Sequence, residues 1–174
     1  AYTASNYHLS ATYSRQKGWN SWSYYATKDL VGTSANGVAA TTANSDSVAL
    51  RAWWRPDETG TATPSISVGY DTMSFSGRLD NVTEGRGYFV GLNWSDMIQP
   101  EDRIGLAFGQ PMKATEAAAG TNLTEVDPFL WELYYSFRPN DSMEIRPAIF
   151  GGTDVEDTTA DDIFGAVLTT TFKF

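Results

Sequence analysis

The sequence has no cysteine and a single histidine, which excludes disulfide bonds and leaves few ligands for a zinc site. It also lacks any run of about 18 or more apolar residues, which excludes a membrane-spanning helix. Basic residues are scarce, with 12 Lys and Arg against 21 Asp and Glu, a formal net charge of -9. Because non-specific nucleic-acid binding depends on a basic surface, we expect no nucleic acid among its partners.

Aromatic residues and glycine are abundant instead, at 14% aromatics and 15 glycines in 174 residues. Helical periodicity hardly appears, whereas apolar and polar residues alternate with a period of two between polar, Gly-rich or Pro-containing segments. This pattern predicts an all-β, antiparallel fold with nine strands, near residues 3–13, 19–28, 46–55, 64–75, 86–95, 102–110, 129–137, 142–151 and 163–174. These segments approach the ~9–11 residues that a tilted strand needs to cross a membrane.

The two faces of the predicted strands differ in chemistry. In the stretch DPFLWELYYSFRPND, residues 127–141, Glu132, Ser136 and Arg138 share one parity, and the other parity holds Phe129, Trp131, Leu133, Tyr135 and Phe137. The apolar parity includes aromatic residues towards the strand ends, which we predict to form a lipid-facing girdle: Trp94, Phe129, Trp131, Phe137, Phe172 and Phe174. The charged parity, interspersed with glycine, is predicted to line a pore through Arg51, Arg55, Asp71, Arg103, Glu132, Glu144 and Arg146.

Such amphipathic strands fit either a sheet with one wet face or a transmembrane barrel with an apolar outside. The terminal aromatics and the alternation of short and long connections favour the barrel. The connections counted as short are 14–18, 96–101 and 138–141, with a medium one at 56–63. A soluble, lipocalin-like ligand-binding barrel, whose apolar face would be its core, remains the alternative.

The second half of the chain resembles a known family. The run GYFVGLNWSDMIQPEDRIGLAFGQP is similar to the Gly-aromatic strand, Trp-x-Asp turn and Gly-Gln-Pro ending of cyanobacterial outer-membrane porins of the OprB type, the carbohydrate-selective porins. The segments DPFLWELYYSFRPNDSMEIRPAIFGGT and DDIFGAVLTTTFKF resemble the last three strands of that family. The resemblance covers about residues 85–174, and the earlier part shares only the strand rhythm.

This resemblance implies a transmembrane β-barrel of roughly sixteen strands in the cyanobacterial outer membrane. Residues 1–174 would then be the C-terminal part of one barrel domain, with further N-terminal strands and a periplasmic S-layer-homology module outside this sequence. Counting nine strands back from a periplasmic end places Ala1 at the outer surface, which agrees with a missing part. The implied partners are membrane lipid, two further copies in a homotrimer, and the barrel-assembly machinery, which would read the terminal Phe174.

The implied function is passive diffusion of small solutes, inorganic ions and sugars, through a water-filled channel. No catalytic, cofactor or metal site is predicted. An outer-membrane barrel enzyme using His8 and Ser10 is a further alternative, since a serine nucleophile needs a neighbouring base. The acidic loop at 154–162 lacks the glycine-centred spacing of a calcium loop, so we interpret it as solvated.

Overall fold

The computed structural model describes residues 1–17, 44–76, 82–117, 119, 127–154 and 162–173. They form nine β-strands: β1 (Tyr2–Thr3), β2 (Tyr7–Lys17), β3 (Asn44–Trp54), β4 (Ser65–Ser76), β5 (Val82–Ser95), β6 (Arg103–Ala117), β7 (Phe129–Asn140), β8 (Met143–Thr153) and β9 (Ile163–Phe172). The expected all-β, antiparallel fold is thereby confirmed for this part of the chain. No helix in the described ranges is long and apolar enough to cross a membrane.

All nine strands belong to one sheet, in which each strand pairs with the next one along the chain. Every pairing is antiparallel, so successive connections leave from opposite ends of the sheet. One end, here called the turn end, has the connections 55–64, 96–102 and 141–142. The other, the loop end, has the connections 18–43, 77–81, 118–128 and 154–162.

The first third of the chain departs from the sequence-based expectation. The predicted strand 3–13 is interrupted after Thr3, where the Ala4 backbone N–H donates to the Tyr7 carbonyl. The predicted short turn at 14–18 is wrong for residues 14–17, because β2 continues to Lys17 opposite Asn44. β2 therefore pairs directly with β3 and runs towards the loop end, opposite to the direction expected. The predicted strand 19–28 lies outside the described residues.

Several strands also extend beyond the segments in which apolar and polar residues alternate. β5 begins at Val82 rather than 86, and β6 continues to Ala117 rather than 110, because the backbone ladder between these two strands continues where the side chains are already polar. The register shifts in this extension, between the Tyr88–Gln110 and Arg86–Lys113 pairs. Pro111 falls in that irregularity, where its missing N–H removes no regular ladder bond.

The sheet has an apolar face that is left exposed. Leu50, Phe164 and Leu168 show 46%, 73% and 67% of their surface, and the described residues contain only three buried apolar side chains, Phe75, Pro128 and Ala148. On the opposite face, the side chains of Arg51 and Asp71 are 38% and 27% exposed, and Glu132 and Arg146 are exposed. A soluble sheet of this size buries its apolar face against a second layer, and the described residues provide none.

Candidate functional site

The pairing register places the predicted site residues on two opposite faces. All seven predicted pore-lining residues share one face, here called the polar face: Arg51, Arg55, Asp71, Arg103, Glu132, Glu144 and Arg146. The predicted girdle residues Trp94, Phe129, Trp131, Phe137 and Phe172 lie on the other, the apolar face. Phe174 is outside the described residues.

Arg51 on β3 belongs to a compact unit of the polar face. Its guanidinium donates to both carboxylate oxygens of Asp71, at 2.8 and 2.9 Å, and lies over the Phe89 ring at 5.4 Å from the ring centre. That ring in turn covers Gly69, where an added Cβ would come within 2.1 Å of the ring. Arg51 is thus held flat against the sheet and electrically neutralised by Asp71.

Arg146 on β8 repeats this arrangement without the carboxylate. Its guanidinium lies 5.3 Å from the centre of the Tyr134 ring, which covers Gly105. The Asn93 side-chain amide donates to the Tyr134 hydroxyl at 2.7 Å and holds the ring in place. Sequence reasoning identified the arginines but missed the two rings. The sequence gives no signal for the role of Phe89 and Tyr134 except the small residues that they cover on the neighbouring strands, Gly69 and Gly105.

Close to Arg146, the hairpin of β7 and β8 carries a hydrogen-bonded charge cluster. The Ser136 hydroxyl donates to Glu144 at 2.7 Å, and Glu144 is within electrostatic reach of Arg103, Arg138 and Arg146. We call these three residues the arginine cluster. Arg138 also donates to Glu101 at 2.8 Å, beyond the turn end of β5 and β6.

Towards the loop end, the side of the sheet that carries the apolar face ends in ion pairs, because the register places these charged residues on its parity: Arg15, Asp46, Glu84, Arg86 and Lys113. Arg86 donates to Glu84 at 3.1 Å, Arg15 lies 3.7 Å from Asp46, and Lys113 pairs with Asp127. Each of these pairs is largely open to solvent, so each contributes only about 0–1 kcal/mol to stability.

The apolar face carries its aromatic residues in two bands. The band near the turn end contains Tyr7, Trp54, Trp94, Tyr135, Phe137 and Phe172, and the band near the loop end contains Tyr13, Tyr70, Tyr88, Phe108, Trp131 and Phe164. Where both bands contribute to one strand, the two residues are about six to eight positions apart, or ~20–26 Å along the strand. Aliphatic side chains fill the space between, including Val68, Val90, Leu106, Leu133 and Leu168.

The turn between β5 and β6 is organised around Asp102, whose side chain is fully buried. The carboxylate accepts the backbone N–H groups of Met97, Ile98 and Gln99 at 2.8, 2.9 and 3.0 Å, and the Tyr135 hydroxyl at 3.1 Å. Burial alone would raise the pKa of Asp102, but these donors outweigh it and lower the pKa. The turn is therefore a rigid element rather than a loose connection.

The lowered pKa predicts that this turn is sensitive to acid. The folded-state pKa of Asp102 lies below the unfolded value of about 3.9, so its carboxylate stabilises the turn above that pH, and the contribution is lost as the pH falls through the folded pKa. We expect the amide protection factors of Met97, Ile98 and Gln99 to fall in that range. In Asp102→Asn they should be low at every pH.

Asp96 provides the control for this measurement. Its pKa is also lowered, by a hydrogen bond from Thr59 and by the Glu101 backbone N–H. Its carboxylate receives none of the three amides around Asp102, so Asp96→Asn should retain their acid transition. Loss of that transition in Asp96→Asn, or its persistence in Asp102→Asn, would assign it to another group.

The alternative sites receive no support from the described residues. His8 Nδ1 is hydrogen-bonded to Thr3 Oγ1 at 2.7 Å, and its ring stacks on Trp53 with 6.0 Å between ring centres. No hydrogen bond joins His8 to Ser10 in this part of the chain. The described ranges also hold no group of three or more His, Asp or Glu side chains arranged to bind a metal ion.

Comparisons with protein-family models, with curated proteins and with solved structures find no match to this chain. The resemblance to OprB-type porins therefore stays a prediction, and the argument for function depends on the two faces of the sheet.

Proposed function

We propose that this chain is part of an outer-membrane porin, a transmembrane barrel whose water-filled passage lets small solutes diffuse across the membrane. The observation that carries the proposal is the exposed apolar face, with aliphatic side chains between two aromatic bands and only three buried apolar side chains in the whole described part. In water such a face would expose far more contiguous apolar surface than a soluble monomer tolerates. In a bilayer it is the lipid-facing surface, and its aromatic bands lie at the two interfaces.

The polar face supports the second half of the proposal, a hydrated passage. Some of its charged side chains are paired, as Arg51 is with Asp71, and others stack on rings, as Arg146 does on Tyr134. Glycines beneath the rings keep the side chains close to the wall, so the centre of a closed barrel would stay open to water. The solutes proposed are inorganic ions and small sugars, which pass by diffusion without a reaction.

A lipocalin-like barrel would require the reverse arrangement. Its apolar face would be the concave, crowded interior and its charged face the solvent-exposed outside. The apolar face of the described sheet instead keeps large side chains exposed, with 73% of the surface of Phe164 and 67% of that of Leu168 accessible. This distribution of exposure favours the membrane orientation.

Single-channel recording tests the proposal directly. The full-length protein that contains this sequence is reconstituted in a planar bilayer, with reversal potentials measured under a salt gradient. We expect discrete, stable conductance steps, and the sign of the reversal potential identifies the favoured ion. Absence of steps from protein shown to be folded and inserted would reject the open channel.

A further inference from the structure

One part of the polar face carries arginines that are not bonded to a carboxylate. The arginine cluster of Arg103, Arg138 and Arg146 surrounds Glu144, and Glu101 adds a second carboxylate through its bond to Arg138. Asp96 in the adjoining turn is also within electrostatic reach of Arg103. No ion pair among the described residues includes Arg103 or Arg146. These two exposed guanidinium groups therefore keep N–H donors that no carboxylate of the described residues occupies.

The strand register brings these two groups together. Arg103 on β6 lies opposite Ser136 on β7. Phe137 lies opposite Ile145, which places Arg146 beside Ser136 on the far side of β7. Arg103 and Arg146 are thus two strands apart, about 10 Å between Cα atoms. An arginine side chain is long enough for both guanidinium groups to contact one small ligand bound over Ser136.

The surroundings hold Arg146 in position for such a ligand. Its guanidinium rests on the Tyr134 ring, which Asn93 fixes through a hydrogen bond. Glu144 accepts the Ser136 hydroxyl and lies 3.8 Å from Arg138. Arg103 and Arg146 are within its electrostatic reach, but neither forms an ion pair with it. A pre-positioned guanidinium loses little conformational entropy on binding, and its planar N–H fork matches the oxygens of a phosphate or carboxylate.

We infer that Arg103 and Arg146 form a binding site for a small oxyanion at the turn end of the polar face. The inference rests on the proposed function, because a barrel would place this site at one mouth of the passage. There it would hold phosphate-like or carboxylate solutes before they enter. Arg51 differs from these two arginines, because Asp71 already neutralises its charge and leaves no charge to attract an anion.

Calorimetric titration of the detergent-solubilised full-length protein with inorganic phosphate tests this site without depending on conductance. We expect saturable binding that becomes about tenfold weaker or more in the Arg103→Gln/Arg146→Gln variant, as for the loss of charge-assisted hydrogen bonds. The matched control is Arg51→Gln/Asp71→Asn, which removes a balanced pair and should leave phosphate affinity unchanged. If the first double variant fails to fold, the single variants are each expected to weaken binding several-fold.

The outcomes separate this inference from the proposed function. Phosphate binding that depends on Arg103 and Arg146 supports the site, even if the protein passes no current. No saturable binding, or equal binding in wild type and both double variants, overturns the site while leaving the channel to be judged by its conductance. Equal weakening by the Arg51→Gln/Asp71→Asn control would also overturn it, because the effect would then not be local.

Discussion

Substitution of Leu106 by arginine is expected to cost about 2–4 kcal/mol of the free energy of unfolding from lipid vesicles. Leu106 lies on the apolar face of β6, opposite Leu133 and between the two aromatic bands. In the proposed orientation this position is near the bilayer midplane, where a guanidinium loses its hydration and finds no counter-charge. The measurement is denaturant-induced unfolding in lipid vesicles, followed by tryptophan fluorescence.

The neighbouring residue provides a matched control at the same depth. Ala107 lies on the polar face, opposite Glu132 in the register of β6 and β7. Ala107→Arg introduces the same side chain beside a carboxylate and water, and we expect a change within about 0.5 kcal/mol. An equal loss in both variants, or cooperative folding of the wild-type chain in buffer without lipid or detergent, would contradict the proposed lipid-facing side.

The second large effect is expected for Gly109→Ala, about 1–3 kcal/mol of destabilisation. Gly109 on β6 lies opposite Phe89, beside the irregular pairing near Pro111. A Cβ atom there would be 2.2 Å from the Tyr88 carbonyl oxygen and 2.7 Å from the Phe89 Cα atom. Both are backbone atoms of the paired strand, so the clash is relieved only by moving the β5–β6 ladder itself.

Gly91→Ala is the comparison that isolates this backbone clash. Gly91 lies on the same face of β5, but its added Cβ would meet only the Ser67 hydroxyl, at 2.6 Å. Rotation of that side chain relieves the contact, so we expect a smaller loss of stability than in Gly109→Ala. Both values come from the same vesicle unfolding experiment. A loss in Gly91→Ala as large as in Gly109→Ala would show that the wall tolerates no added carbon, whatever atom it meets.

Sequence alone predicted most of the sheet after residue 46 and the face shared by most of the charges named above. Strict alternation makes this possible, because in a strand the parity of a residue determines its face. Arg51, Asp71, Glu144 and Arg146 were assigned to the polar face on parity alone, and Trp94 and Trp131 to the apolar face. Whether these faces meet lumen and lipid remains a prediction.

Prediction of strands from alternation failed where the backbone is still paired but the side chains no longer alternate between apolar and polar. Ser14–Lys17 and residues 111–117 are polar or irregular in sequence, yet they are paired strands because the neighbouring backbone continues to offer hydrogen bonds. The short turn expected at 14–18 was wrong for this reason, and with it the direction of the first strand. Strand pairing depends on two segments, so the residue pattern of one segment does not predict it.

Composition and alternation thus determined that this protein is an antiparallel all-β chain with one apolar and one charged face, since both follow from the period of the strand. Only the tertiary structure decided which charges are cancelled and which remain. Arg51 and Arg146 are equivalent in sequence pattern, each an arginine on the charged parity of its strand. The register gives Arg51 the Asp71 carboxylate and gives Arg146 only the Tyr134 ring, because charge neutralisation depends on which residues neighbouring strands bring side by side.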